Sequence, residues 1–103
     1  MITALVQFRL PQPITLEAAR AAFSASAPKY RDVPGLIRKY YVLSPDGGTA
    51  GGVYLWRSRE DAERLYTDEW RKFILDKYGA EPSVAYFETP VVVDNAAGTI
   101  APV

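Results

Sequence analysis

The residues of this sequence that could do chemistry are basic and aromatic, because the 103 residues include no Cys and no His. That absence excludes disulfide bonds, thiol nucleophiles, imidazole bases, histidine-ligated haem and zinc sites built on His or Cys. Any metal ion would have to be a hard cation held by carboxylates. The remaining candidate chemistry is the binding of a substrate anion or an incipient oxyanion by a cationic side chain beside aromatic walls.

Arg38 and Lys39 are the first candidates for that cationic side chain. Adjacent residues of a strand point to opposite faces of a sheet, so only one of the two can face a given pocket. The alternative is an edge-strand charge whose stem lies along apolar surface while its head reaches water. Tyr41 shares the face of Lys39 and could add a hydrogen-bond donor.

Aromatic and acidic residues on later segments complete the candidate pocket lining. Tyr54 and Trp56 share one face of a strand and either line a ligand pocket or belong to the core beneath the helices. Tyr86 and Glu88 share a face of the last strand, where Glu88 is either a general base, if desolvated, or a salt-bridge partner. Glu69 falls within the apolar arc of a helix and is either paired or partly exposed at the edge of that arc. No residue is assigned a catalytic role.

The composition indicates one folded domain with no overall charge. Hydrophobic residues make up 49% of the chain and aromatic residues 13%, which is enough apolar surface for a core. Twelve basic and twelve acidic residues cancel, so the net charge favours neither nucleic acid nor a membrane surface as a partner. No apolar run approaches the roughly 20 residues of a membrane helix. We therefore expect a cytoplasmic protein that binds neither nucleic acid nor membrane.

The hydrophobic pattern predicts four strands and two helices that would position these residues. The strands are Ile2–Leu10, Leu36–Leu43, Gly51–Trp56 and Val84–Val93, and the helices begin at Leu16 and after Ser58, the second ending at Gly79. Thr15 caps the first helix, and Pro28 kinks it or ends its regular part. A tight turn over Ser44–Gly48 joins two strands as a hairpin. Pro90 interrupts the last strand, which places that strand at an edge or marks a bulge.

The order βαββαβ predicts a ferredoxin-like α+β sandwich, with one antiparallel four-stranded sheet and both helices on one face. The other face would be bare, yet both faces of the second and third strands carry bulky apolar groups. A second copy of the chain is the most economical cover, so we expect a homodimer, a dimeric α/β barrel that encloses a pocket. Residues 1–93 should form the single domain, and residues 94–103 a tail that is mobile or held by a partner.

Three segments carry a family resemblance: Pro34–Tyr41, Gly51–Trp56, and the helix start from Ser58 to Ala62. Together they resemble the monooxygenase family typified by the bacterial protein YdhR, which belongs to the dimeric α/β-barrel superfamily. More distant relatives are the antibiotic-biosynthesis monooxygenases and the haem-degrading oxygenases. The resemblance extends from the first strand to about Asp94.

The resemblance implies a homodimer with a pocket, and a reaction in which an electron-rich phenolic or quinol-like substrate meets O2 without flavin, metal or haem. The protein would bind the substrate, stabilise its deprotonated oxygen and exclude water. Trp56 matches in motif the tryptophan that lines the pocket of the haem-degrading relatives. Their haem-ligating histidine would fall in the stretch Leu65–Thr67, which has no His, so haem degradation by that route is not expected.

Two other functions are compatible with the same pattern. A dimeric barrel without catalytic activity could bind a small hydrophobic or aromatic molecule, or serve in a stress response, because no catalytic constellation in the sequence excludes it. The βαββαβ order also builds RNA-recognition modules, and Gly52–Trp56 faintly resembles their aromatic third strand. The zero net charge argues against RNA binding.

Overall fold

The architecture is taken from a computed structural model that describes residues 1–102. In chain order the elements are β1 Ile2–Arg9, α1 Leu16–Ser26, a 3-10 turn Ala27–Tyr30, β2 Leu36–Leu43, β3 Thr49–Trp56, α2 Arg59–Leu65, α3 Asp68–Tyr78, β4 Ser83–Glu88, β5 Val91–Asp94 and β6 Thr99–Pro102.

Strand β1 lies inside a four-stranded sheet of order β2-β3-β1-β4, in which every pair is antiparallel. Alternate side chains of β1, from Ile2 through Ala4 and Val6 to Phe8, are buried against the helices, as the period of two in the sequence predicts. The helices supply Phe23 and other apolar side chains to the same core. The predicted ferredoxin-like α+β fold is confirmed.

The start and the end of α1 follow the predicted local signals. Thr15 has extended backbone angles, and its hydroxyl accepts a hydrogen bond from the Ala18 amide at 3.1 Å. The regular helix ends at Ser26, and Pro28 lies in the 3-10 turn that continues it. That position suits proline, because its missing amide leaves no helical hydrogen bond unmade.

The prediction of one long helix ending at Gly79 is wrong, because the segment contains two helices with a break at Tyr66 and Thr67. The Thr67 hydroxyl accepts a hydrogen bond from the Trp70 amide at 3.2 Å, and Asp68 follows in the first turn of α3. A capping threonine followed by acidic residues is typical of a new helix N-terminus. Gly79 ends α3 with φ 77°, as predicted for that position.

The predicted strand Val84–Val93 is also wrong, because Pro90 separates two strands that belong to different sheets. Strand β4 pairs with β1, whereas β5 pairs only with β6. The hairpin β5/β6 therefore includes much of the predicted tail, and that tail's mobility stays a prediction. The last residue of the predicted tail, Val103, lies outside the described residues.

The sheet face opposite the helices carries exposed apolar side chains. Tyr40 and Phe87 are 54% and 53% exposed on this open face. The hairpin β5/β6 lies near it and forms one wall of a groove whose floor includes Val53 and Leu55. Among residues 1–102, no helix is long and apolar enough to cross a membrane.

Gly51 in β3 sits where the backbone of β1 comes too close for any side chain, since an added Cβ would overlap the Val6 carbonyl oxygen. Gly51→Ala should therefore lower the free energy of unfolding by about 2–3 kcal/mol, measured by chemical denaturation. Gly48→Ala is the matched control, because its Cβ would meet only the exposed side chain of Asp46 at 3.3 Å. Equal losses in the two variants would contradict the close approach.

Candidate functional site

A narrow cleft lies between the helix-facing side of the sheet and the helices α1 and α3. Most of its wall is aromatic, formed by Phe8, Phe23, Tyr30, Tyr41, Tyr54, Trp70, Phe73 and Tyr78. In this conformation the free space at its centre accommodates about one water molecule. The site is an apolar aromatic cleft that its own side chains nearly fill.

Lys39 is the cationic side chain within this cleft. Strand β2 places it opposite Tyr54 of β3, on the face that the helices cover. Its Nζ lies 3.4 Å from the centre of the Tyr30 ring, 3.7 Å from that of Tyr41 and 4.7 Å from that of Tyr54. Gly52 leaves room for this arrangement, because an added Cβ would come within 2.8 Å of Tyr54 and 3.2 Å of Lys39. The three rings form an aromatic cage for the ammonium group.

Burial in the cleft makes the charged form of Lys39 less favourable than it is in water. Burial, followed by repulsion from Lys29 and Lys77, lowers the pKa of Lys39 from 10.5 to about 7. No carboxylate of the described residues lies within 4.0 Å of the Lys39 ammonium to offset this. At neutral pH the group therefore exists partly as a neutral amine, which can accept a proton, and partly as a cation, which can stabilise an anion.

Hydrogen bonds hold the surrounding tyrosines in place. The Trp70 indole donates to the Tyr30 hydroxyl at 3.0 Å, and the hydroxyls of Ser26 and Tyr41 lie 2.8 Å apart. Burial raises the pKa of Tyr41 to about 12 and also raises the pKa of Tyr54. The Ser26 hydroxyl donates to the Phe23 carbonyl at 3.2 Å, so the Tyr41 hydroxyl donates its proton to Ser26. Both tyrosine hydroxyls stay protonated at neutral pH.

Of the seven predicted pocket residues, the cleft brings together Lys39, Tyr41 and Tyr54. Trp56 is fully buried behind them and stacks on Tyr54, with ring centres 6.1 Å apart and planes 6° apart. Its indole donates to the Tyr66 hydroxyl at 3.1 Å. Trp56 thus belongs to the core beneath the helices and supports the Tyr54 wall, which is one of the two alternatives open from the sequence.

The other three predicted residues lie away from the cleft. Arg38 points to the open face, where its guanidinium donates to the Tyr40 hydroxyl at 3.2 Å. Tyr86 lies beneath the Arg59 guanidinium, whose central carbon is 4.2 Å from the ring centre. Glu88 is exposed at the end of β4.

The periodicity did not identify the cleft residues that the helices contribute. Tyr30, Trp70 and Phe73 line the cleft, and the Lys29 Nζ lies 3.5 Å from the centre of the Phe73 ring. The helical period of the apolar residues around these positions indicates that they are buried, but not which strand residue each of them contacts. Glu69 is exposed in the first turn of α3, in agreement with the exposed alternative considered from the sequence. Within residues 1–102 no group of three acidic side chains is arranged to hold a metal ion.

Residues 4–88 match the family described as "Putative mono-oxygenase ydhR". Among solved structures, one match is the ActVA-Orf6 monooxygenase of Streptomyces coelicolor, in complex with nanaomycin D. It has a TM-score of 0.67, 18% identity, and coverage of 89% of both chains. A comparison with curated proteins gives no match.

Two further structures share the fold. SnoaB, a cofactor-independent oxygenase from Streptomyces nogalater, has a TM-score of 0.62, 13% identity, and coverage of 85% of this chain and 91% of its own. Rv0793 from Mycobacterium tuberculosis has a TM-score of 0.60, 18% identity, and coverage of 86% and 95% respectively. At these identities the structural likeness shows the fold alone.

Lys39→Met should make stability less dependent on pH. The unfolded chain keeps the Lys39 proton up to about pH 10.5, whereas the folded protein releases it near pH 7. Lys39 therefore makes the free energy of unfolding rise with pH between about pH 7 and pH 10.5. Between pH 6 and pH 9 the contribution is about 3 kcal/mol. Methionine removes it and still packs against the rings.

Chemical denaturation at both pH values measures the effect, with Lys72→Met on the exposed surface of α3 as the matched control. Wild type and Lys72→Met should gain the same stability from pH 6 to pH 9, and Lys39→Met should gain less. The same gain in all three proteins would contradict the burial of a titrating Lys39.

Proposed function

We propose that this chain, which belongs to the ydhR mono-oxygenase family because that family matches residues 4–88, oxidises a small aromatic substrate in the cleft around Lys39. The substrate would be phenolic or quinol-like, O2 would be the co-substrate, and no bound cofactor would be needed. The observation that carries this proposal is a partly neutral lysine amine enclosed by aromatic rings.

The cleft suits an aromatic substrate for two reasons. Its wall is almost entirely ring faces and edges, which pack well against another flat ring. The tyrosine hydroxyls and the lysine amine are the polar groups that could orient a hydroxyl of the substrate. Because the cleft has room for about one water, a ring can enter only when side chains move. Lys39, with its long flexible stem, is the side chain most able to do so.

The proposed reaction balances without a cofactor when the substrate itself supplies the electrons. A phenol loses its O–H proton and the hydrogen of the ring carbon para to the oxygen. The carbon that bears the oxygen and this para carbon both become carbonyl carbons. One atom of O2 enters the ring carbon, and the other leaves as water with the two hydrogens. The substrate is oxidised by four electrons and O2 is reduced by the same four.

Lys39 has two roles in this scheme. The neutral Nζ accepts the phenolic proton, which produces the electron-rich phenolate that reacts with O2. The ammonium then formed remains beside the phenolate oxygen and stabilises it in a site from which water is largely excluded. The Tyr54 hydroxyl, which burial keeps protonated, would add a hydrogen-bond donor near that oxygen.

We also propose that the protein is a homodimer in which the open sheet faces of two copies meet. Tyr40, Val42 and Phe87 are exposed there, and the nearby hairpin adds the exposed Val91 and Val93. Large apolar side chains that are exposed together on one face are typical of a protein interface. A two-fold dimer would cover both copies of the surface at once.

The oxidation is tested by measuring O2 uptake with a panel of phenols, 1-naphthols and anthrones, which carry a hydrogen on the carbon para to the oxygen, after subtraction of their spontaneous oxidation. With an accepted substrate, kcat/KM should rise with pH through a midpoint near 7, because kcat/KM reports the pKa of the free enzyme. Lys39→Met should lower kcat by about 100-fold or more, whereas Lys72→Met should leave it unchanged.

Binding of these compounds without O2 uptake above the spontaneous rate would contradict the proposed oxidation and favour a non-catalytic small-molecule-binding barrel. Full activity in Lys39→Met would contradict the proposed role of the amine.

The dimer is tested by light scattering of the double variant Tyr40→Glu, Phe87→Glu. Two carboxylates introduced into an apolar interface should convert a particle of twice the chain mass into a monomer. Leu16→Glu is the control, because Leu16 is 63% exposed but lies on α1. A monomeric wild-type protein would contradict the proposal.

A further inference from the structure

Three of the four lysines of the chain have their ammonium groups near aromatic rings of the cleft, although they come from separate elements. Lys29 lies in the 3-10 turn, Lys39 in β2 and Lys77 in the last turn of α3. The Nζ atoms of Lys29 and Lys77 lie 3.5 Å and 5.7 Å from the centre of the Phe73 ring, which lines the cleft. Lys77 also lies 5.6 Å from the centre of the Tyr78 ring, in the same wall.

The positive charge of these lysines has no counterpart at the cleft. The ion pairs of the described residues all lie on α2, where Arg59 and Arg64 pair with Glu60, Asp61 and Glu63. None of the three lysines has a carboxylate of the described chain within 4.0 Å. In a protein whose total charge is zero, three ammonium groups are thus concentrated at one cleft.

The three lysines are not equivalent. Lys39 lines the cleft. Lys29 and Lys77 are exposed and lie near the Phe73 ring of its wall, and they are here called the rim lysines. Repulsion from Lys29 and Lys77 contributes to the low pKa of Lys39, which shows that the rim charges act on the interior of the cleft. An anion placed between the rim lysines would be attracted by both and would relieve their repulsion.

We propose that the ligand of this cleft is an aromatic carboxylate, whose ring lies among the tyrosines while its carboxylate binds Lys29 and Lys77. This inference rests on the proposed function and specifies its substrate class. The rim lysines determine specificity, and the ring hydroxyl that reacts lies deeper, beside Lys39. The faces of Phe73 and Tyr78 hold the two ammonium groups near the entrance.

The experiment compares 5-hydroxy-2-naphthoate with its methyl ester, two ligands of similar shape that differ in charge. Their hydroxyl and carboxyl groups lie on different rings, and the carbon para to the hydroxyl carries a hydrogen. Binding is measured by quenching of tryptophan fluorescence, because Trp70 lines the cleft. The acid should bind about tenfold more tightly than the ester, a difference typical of one charge-assisted contact. The double variant Lys29→Gln, Lys77→Gln should bind the acid as weakly as the ester, and Lys72→Gln should behave as wild type.

Ester binding should be the same in all these proteins, which separates a lost charge contact from a damaged cleft. Equal binding of acid and ester by the wild type, or no binding of either ligand, would overturn the proposal. An equal loss of affinity for both ligands in the double variant would also overturn it. Because binding is measured without turnover, its outcome is independent of the oxidation. Binding of the acid more tightly than the ester, without O2 uptake, would support this inference and contradict the proposed function. Oxidation of both ligands with equal binding of acid and ester would support the proposed function and contradict this inference.

Discussion

The enclosure of the Lys39 ammonium by three tyrosine rings, without a carboxylate to balance its charge, is the constraint around which the cleft is organised. An unpaired ammonium loses hydration when it is buried, and ring faces replace only part of what water provided. The consequence is an amine that is close to losing its proton at neutral pH. The same loss of hydration that costs stability gives this small protein, which has no His and no Cys, a group able to exchange a proton at neutral pH.

The aromatic residues around Lys39 form one connected structure rather than separate contacts. The Trp70 indole holds Tyr30, the Trp56 indole holds Tyr66, and Tyr54 packs between Trp56 and Tyr30. The break between α2 and α3 contributes to this arrangement, since Tyr66 ends one helix and Trp70 lies in the first turn of the next. Among the residues that line the cleft, Lys39 alone has a long unbranched side chain, and it lies among these connected rings.

Much of the fold could be predicted from the sequence, because strand alternation, the Thr15 cap and the Pro28 position are local signals. The two errors were also local, since Thr67 begins a new helix within an uninterrupted apolar stripe and Pro90 ends a strand rather than bending it. The site was harder to predict. Strand alternation put Lys39 and Tyr41 on one face of their strand, but it did not show whether Tyr54 shares that face. The contact between Tyr30 and Trp70 joins residues 40 positions apart, which no local pattern indicates. Periodicity indicates which side of a helix is buried, not which residue it meets.

The central claim is that Lys39 is an amine that titrates near neutral pH within the folded protein. The most direct test follows the Cε and Nζ resonances of the four lysines by NMR as the pH is raised, with Lys39→Met to assign the signal. One lysine should titrate with a midpoint near pH 7, and its resonance should be missing from the spectrum of Lys39→Met. A Lys39 resonance that titrates near 10.5, the ordinary value for lysine, would contradict the account.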